Sequence, residues 1–139
     1  MSAAPQALSA LLEQMPYAAF LGVETALQGD RLILSVPFKP ELIGNAYIQA
    51  LHGGVLGSVL EIAAMAQLAL ARESKNVCKP IDVQIEYLRS GRPLTLFAAA
   101  RVVRIGRRVA HVQAEAWQDT EQKPIAILHA NYLVDEAAE

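Results

Sequence analysis

Asn45-Ala-Tyr-Ile-Gln-Ala-Leu-His52-Gly53-Gly54-Val-Leu-Gly-Ser-Val-Leu-Glu61-Ile-Ala-Ala-Met-Ala-Gln-Leu-Ala-Leu-Ala71 contains one side chain charged at neutral pH, Glu61. After the glycines nearly every direction around a helical wheel is Val, Leu, Ile, Ala or Met, which predicts a helix to about Arg72, buried on all sides. Glu73-Ser74-Lys75-Asn76 closes it. By length alone this segment would also suit a membrane span. A central Glu61 and Gln67, three glycines near one end, no second apolar segment and no flanking Lys/Arg cluster argue for a core helix instead. Stranding a carboxylate there is expensive unless it is paired, neutralised or used. Glu61 therefore either reaches a surface or a neighbouring Arg, or it does chemistry.

Composition bounds what surrounds this helix. At 139 residues the chain is one domain, 1–139, with room for a single core. Hydrophobic residues are 53% and charged ones 19%, so part of the surface is expected to be covered by other copies of the chain. A net charge of −2 gives no case for nucleic acid as a partner. The single Cys78 excludes an internal disulfide framework and fits a reducing compartment. Met-Ser-Ala-Ala-Pro-Gln lacks the basic start and apolar run of a signal peptide, so a cytoplasmic location is expected. Three scattered His and one Cys show no metal-ligand spacing, and no cofactor is expected.

Outward from the helix, residues from about Pro5 to Met15 read as a short amphipathic helix on Leu8, Leu11, Leu12 and Met15, stopped by Pro16. Tyr17 to Gly22 reads as a compact apolar link, expected to form another helical turn. Val23–Gln28 and Arg31–Pro37 read as a hairpin around Gly29-Asp30, with Leu32, Leu34 and Val36 on one face. Lys39 to Leu51 reads as a loop. Beyond Val77 the period becomes two: Ile81, Val83, Ile85 and Tyr87 alternate with Asp82, Gln84 and Glu86. Long strands follow at Leu94–Ile105, Arg108–Gln118 and Pro124–Val134, before a loose acidic tail. Their alternate positions carry rows of small residues: Ala98 and Ala100; Ala110, Ala114 and Ala116; Ala126 and Ala130. Such rows let a helix lie close against a curved sheet. The fold class is thus α+β, an antiparallel sheet around one long apolar helix, whose other face needs solvent or a partner. His111, Gln113, Glu115 and Trp117 share the outer face of their strand, a surface suited to a subunit contact.

The chemistry concentrates where loop becomes helix. Backbone N–H groups at a helix start lack intrahelical partners and carry the positive end of the dipole. Gly53 and Gly54 leave those amides open to another group's oxygen, such as a thioester carbonyl, although tight packing also explains a glycine pair. Nine residues separate His52 from Glu61, two and a half turns and about 13 Å of rise, on opposite sides of the helix. Two antiparallel helices from two subunits remove that separation. If the acid works with the glycines, the site is shared across a dimer.

His52-Gly53-Gly54 with an acid nine positions after the His resembles the hotdog-fold acyl-CoA thioesterases, particularly the phenylacetic-acid-pathway type. The resemblance extends to the hairpin, the loop with Asn45, the segment Asp82-Val-Gln-Ile-Glu-Tyr-Leu-Arg89 and the Gly106-Arg107-Arg108 turn. It implies a helix wrapped by an antiparallel sheet, paired into homodimers and often homotetramers, acting on an acyl-CoA. By the same resemblance Gly54 would offer its amide to the thioester carbonyl, with His52 holding the substrate or orienting the loop. Glu61 of the facing subunit would be general base or nucleophile, with Asn45 positioning the water. A carboxylate in so apolar a helix is expected to have a raised pKa, suited to base chemistry near neutrality. Glu61 stands where this type commonly has Asp, and Asn45 lies one residue further from the His than usual, which requires a bulge in the loop. Gly53, Gly106 and the strand-end Arg89, Arg107 and Arg108 are the candidate substrate-binding residues, the arginines meeting CoA phosphates or simply solvent. Alternatives are a hotdog-fold 3-hydroxyacyl thioester dehydratase or hydratase, and a non-catalytic acyl-CoA-binding protein.

Overall fold

A computed structural model describes residues 2–3 and 6–134. The acidic tail lies outside the described residues. The element order is β1 (Ser2–Ala3), α1 (Gln6–Glu13), α2 (Pro16–Leu21), β2 (Glu24–Gln28), β3 (Arg31–Val36), a 3-10 turn (Pro40–Leu42), β4 (Ile43–Asn45), β5 (Ala50–Leu51), α3 (Gly53–Ala71), β6 (Lys79–Tyr87), β7 (Leu96–Ile105), β8 (Val109–Trp117) and β9 (Ala126–Leu133). Pro16 does not merely end α1. It occupies the first turn of α2, where its missing N–H costs nothing. Gly22 closes that helix at φ +79, a left-handed conformation that favours glycine.

Seven strands form one antiparallel sheet in the order β1-β2-β3-β7-β8-β9-β6, and β6 is an edge strand. The sheet's inner face is built from the rows of small residues. Ala98, Ala110, Val112, Ala114, Ala116, Ala126, Leu128 and Ala130 are all buried, and α3 packs on β3, β7, β8 and β9 across them. Alanine on the sheet lets the helix approach, and Val59, Leu60, Ile62 and Leu68 of α3 fill the space between. The apolar surface that gives α3 membrane-like composition is thus consumed by its own sheet.

Two polar contacts of the buried Gln67 fix the register of helix on sheet. Gln67 accepts from Leu32 N–H at 2.8 Å and donates to Asp30 C=O at 3.0 Å, tying α3 to the β2–β3 turn. Gly57 lies against the Ile85 side chain of β6, where a Cβ would stand 2.9 Å from Cδ1. On the outer face Trp117 is not open: it packs with Ile33, Ala99 and Phe97 in a small second cluster. His111 and His129 of that face make contacts to Asn131 and Glu86.

Candidate active site

The loop expected from Lys39 to Leu51 is a miniature hairpin, β4–β5, whose register shifts between Ile43 and Asn45. Gly44 presses against His52, and His52 N–H donates to Leu42 C=O at 2.8 Å. His52 is thereby delivered as the N-cap of α3. Its carbonyl accepts from Val55 and Leu56, and its ring Nδ1 accepts from Gly54 N–H at 2.8 Å. An acceptor Nδ1 places the proton of the neutral ring on Nε2. Tyr87, at the end of β6, donates its hydroxyl to Gly53 C=O at 3.0 Å. The α3 terminus is therefore held from both sides, with the Gly54 amide bonded, among the described residues, to an exposed imidazole alone.

Glu61 lies on the one open strip of the helix. Between Gly54 and Ala69, the positions that are not buried are Gly54, Ser58, Glu61 and Met65. At 100° per residue they fall within an arc of about 60°. Burial, by stripping water from the carboxylate, raises the Glu61 pKa above its usual value. Within one protomer the Gly54 amide and Glu61 share this strip but are two turns apart, about 10 Å of rise. Tyr132, on β9, is fully buried, and its hydroxyl finds no hydrogen-bond partner among the described residues. Burial first, then the charges of Glu61 and Cys78, hold that phenol protonated well above its normal range.

The other expected residues are dispersed. Asn45 Oδ1 accepts from Tyr47 N–H at 3.0 Å and Ile48 N–H at 3.4 Å, so its oxygen serves the hairpin turn. The loop irregularity at Asn45 is present, yet it aims that oxygen into the loop's own backbone. Arg89 borders a cleft of about 330 Å³ with Gly53, Leu56 and Tyr87, at the α3 N-terminus. Gly106, Arg107 and Arg108 form the β7–β8 turn at the opposite end of the sheet. The register makes this plain: Ile105 is level with Ala110, Tyr132 and Pro80, whereas Tyr87 is level with Ala126 and Ala116. Along the regular strands β8 and β9, six residues, about 20 Å, separate the two ends. One protomer therefore assembles His52, Gly53, Gly54 and Arg89, leaving Glu61 and the Arg107-Arg108 pair apart from them. Tyr87 and Ser58 join this neighbourhood without having stood out in the sequence, where one read as an ordinary strand residue and the other as a helix residue. A larger cleft, about 720 Å³, lies at the C-terminal end of α3 against Leu27, Arg31 and Arg101 and includes none of these residues. Among the described residues no group of three His, Cys, Asp or Glu could hold a metal ion.

The sequence model of the thioesterase superfamily matches residues 49–125. The medium/long-chain acyl-CoA thioesterase YigI of Escherichia coli K12 is 30% identical, with 86% of each chain covered. A solved protein from Chromobacterium violaceum is 39% identical at a TM-score of 0.73, covering 90% of this chain and 87% of that one. The E. coli PaaI protein, from the phenylacetic acid degradation operon, shares the fold at a TM-score of 0.75 and 22% identity, over 93% and 95% of the two chains.

Proposed function

This chain belongs to the thioesterase superfamily, a thioester hydrolase of hotdog fold, and from there we propose that it cleaves an acyl-CoA to free acid and CoA at a site shared by two subunits. The observation that carries this reading is the open strip of α3, with an amide terminus and a desolvated acid on one face but two turns apart. A second copy laid antiparallel along that strip sets Glu61 of one subunit opposite Gly54 of the other, twice per dimer. The outer edge of β6, unpaired among the described residues and with Ile81 54% and Tyr87 55% exposed, supports pairing on that side. The same antiparallel arrangement carries the Arg107-Arg108 end of one subunit toward the Arg89 end of its neighbour, where CoA phosphates need cations. Stacking of such dimers through the half-exposed His111 and Gln113 face gives the tetramer.

In this reading the thioester oxygen takes the Gly54 N–H over from His52, whose exposed imidazole returns to water. One hydrogen bond replaces another, a nearly neutral exchange. Glu61 removes a proton from water as the water oxygen attacks the carbonyl carbon. Charge developing on the oxygen is met by the amide and the helix dipole. Collapse breaks the C–S bond, and the departing thiolate takes the proton from Glu61. Asn45, with its oxygen engaged, is not assigned the water.

The name of the E. coli relative favours a medium- or long-chain acyl group. A reduced cysteine and CoA as co-product fit the cytoplasm. The superfamily match favours hydrolysis over dehydration or simple binding. A thiol-release screen across acetyl-, aryl-, medium- and long-chain acyl-CoAs tests this. Turnover on the longer chains, abolished by Glu61→Gln in an intact dimer, is expected. Absence of thiol release from every class, or full turnover by Glu61→Gln, would overturn it.

A further inference from the structure

Asn45 Oδ1 is engaged in its own turn, so in the shared-site reading Glu61 is the one residue so far assigned to the attacking water. Ser58 is the other polar side chain on the open strip of α3 between Gly54 and Met65. It lies four residues after Gly54 and three before Glu61, so on the helix surface it neighbours both. Serine inside a helix commonly donates to the carbonyl one turn back. Among the described residues the Ser58 hydroxyl makes no such bond, nor any other. A serine also weakens a helix slightly against alanine, the residue that fills most small positions of α3.

Resting on the shared-site reading above, we infer that Ser58 holds the attacking water together with Glu61. If Glu61 faces the partner's Gly54, the axis relating the two helices crosses midway between those positions, at Gly57-Ser58. Both Ser58 hydroxyls then lie between the two sites, each about 4.5 Å along the helix from its own Glu61. The water gives one hydrogen to the Glu61 carboxylate and the other to Ser58 Oγ, which leaves a lone pair directed at the carbonyl carbon. As the C–O bond forms, the proton passes to Glu61 and the C–S bond then breaks. Ser58 neither gains nor loses a proton; it orients the nucleophile.

The test compares Ser58→Ala and Ser58→Thr with wild type and Glu61→Gln, by steady-state thiol release, light-scattering mass and thermal melting. Ser58→Ala is expected to lose tenfold or more in kcat, with KM within twofold and the dimer intact. Ser58→Thr, which keeps the hydroxyl, is expected to retain a third or more of wild-type kcat. Wild-type kcat in Ser58→Ala, with Glu61→Gln inactive, overturns the role of Ser58 and leaves the hydrolase reading standing. Equal losses in both Ser58 variants, with a weakened dimer, make Ser58 a packing residue at the axis and also overturn it. Activity in Glu61→Gln removes the shared-site reading itself, and this inference with it.

Discussion

Replacing Gly44 by alanine perturbs the site through a residue that has no chemistry of its own. A Cβ at position 44 would stand 2.7 Å from His52 Cα, 2.8 Å from its Cβ and 3.0 Å from Cδ2. Non-bonded carbons settle at about 3.5–4.0 Å, so β4 and His52 must part by about 1 Å. Nothing nearby yields cheaply, because the nearest atom is backbone. Gly44 is not among the left-handed glycines, so the effect is steric alone. His52 is tied to Leu42 C=O and to the first turn of α3, so the displacement passes to the Gly54 amide. Overpacking of this kind costs about 1–3 kcal/mol, roughly 3–10 °C in Tm for a domain of this size. A misplacement of about 1 Å costs on the order of 100-fold in rate. Steady-state thiol release and a thermal melt on Gly44→Ala read both. Wild-type turnover in a variant with lowered Tm would show that the α3 terminus does not hold the reacting carbonyl.

Four further perturbations bear on the same architecture. A general base works only when ionised, and burial raises the Glu61 pKa, so kcat/KM should fall in acid at a higher pH than an exposed glutamate gives; a flat profile into that ordinary range contradicts the role. For stability the sign is reversed from the usual carboxylate. A raised folded-state pKa contributes stability below the unfolded value that is lost as pH rises through the folded one, so Glu61→Gln should melt higher than wild type at neutral pH and converge with it in acid. Gln67→Met keeps the volume but strands Leu32 N–H and Asp30 C=O, and denaturant unfolding should show a loss of about 2 kcal/mol. Tyr132→Phe removes a buried hydroxyl that has no partner among the described residues, and the variant should be more stable by about 1 kcal/mol and melt higher; a lower Tm would reveal a partner for that hydroxyl.

What the sequence disclosed was whatever repeats along the chain. The all-round apolarity of α3 and the Gly29-Asp30 hairpin follow from burial on one or two faces, which periodicity records, whereas the alternation of β6 marks a strand whose apolar side is only partly covered in one protomer. The small-residue rows announced the helix-facing side of β7, β8 and β9 for the same reason. The β4–β5 hairpin was invisible because most of its residues are exposed and show no period. The engagement of Asn45 was hidden with it, since an Asx turn depends on local backbone direction. Gly54's amide could be placed at a helix start, but the imidazole that caps it could not, because that bond depends on the entry angle set by Gly44. Arg107 and Arg108 were legible as a turn, yet which end of the sheet they occupy is decided by strand register across four strands.

Mixing two inactive variants measures most directly whether Glu61 of one subunit serves Gly54 of the other. Gly54→Pro deletes the amide hydrogen within the first helical turn, where proline is tolerated, and Glu61→Gln deletes the base. Each homodimer should be inactive. Co-refolded or co-expressed, the mixed dimer should recover thiol release at one of its two sites, because one Glu61 then faces one intact Gly54. Mixed dimers, verified by mass, that stay as inactive as their parents would place acid and amide in the same protomer and contradict the shared site.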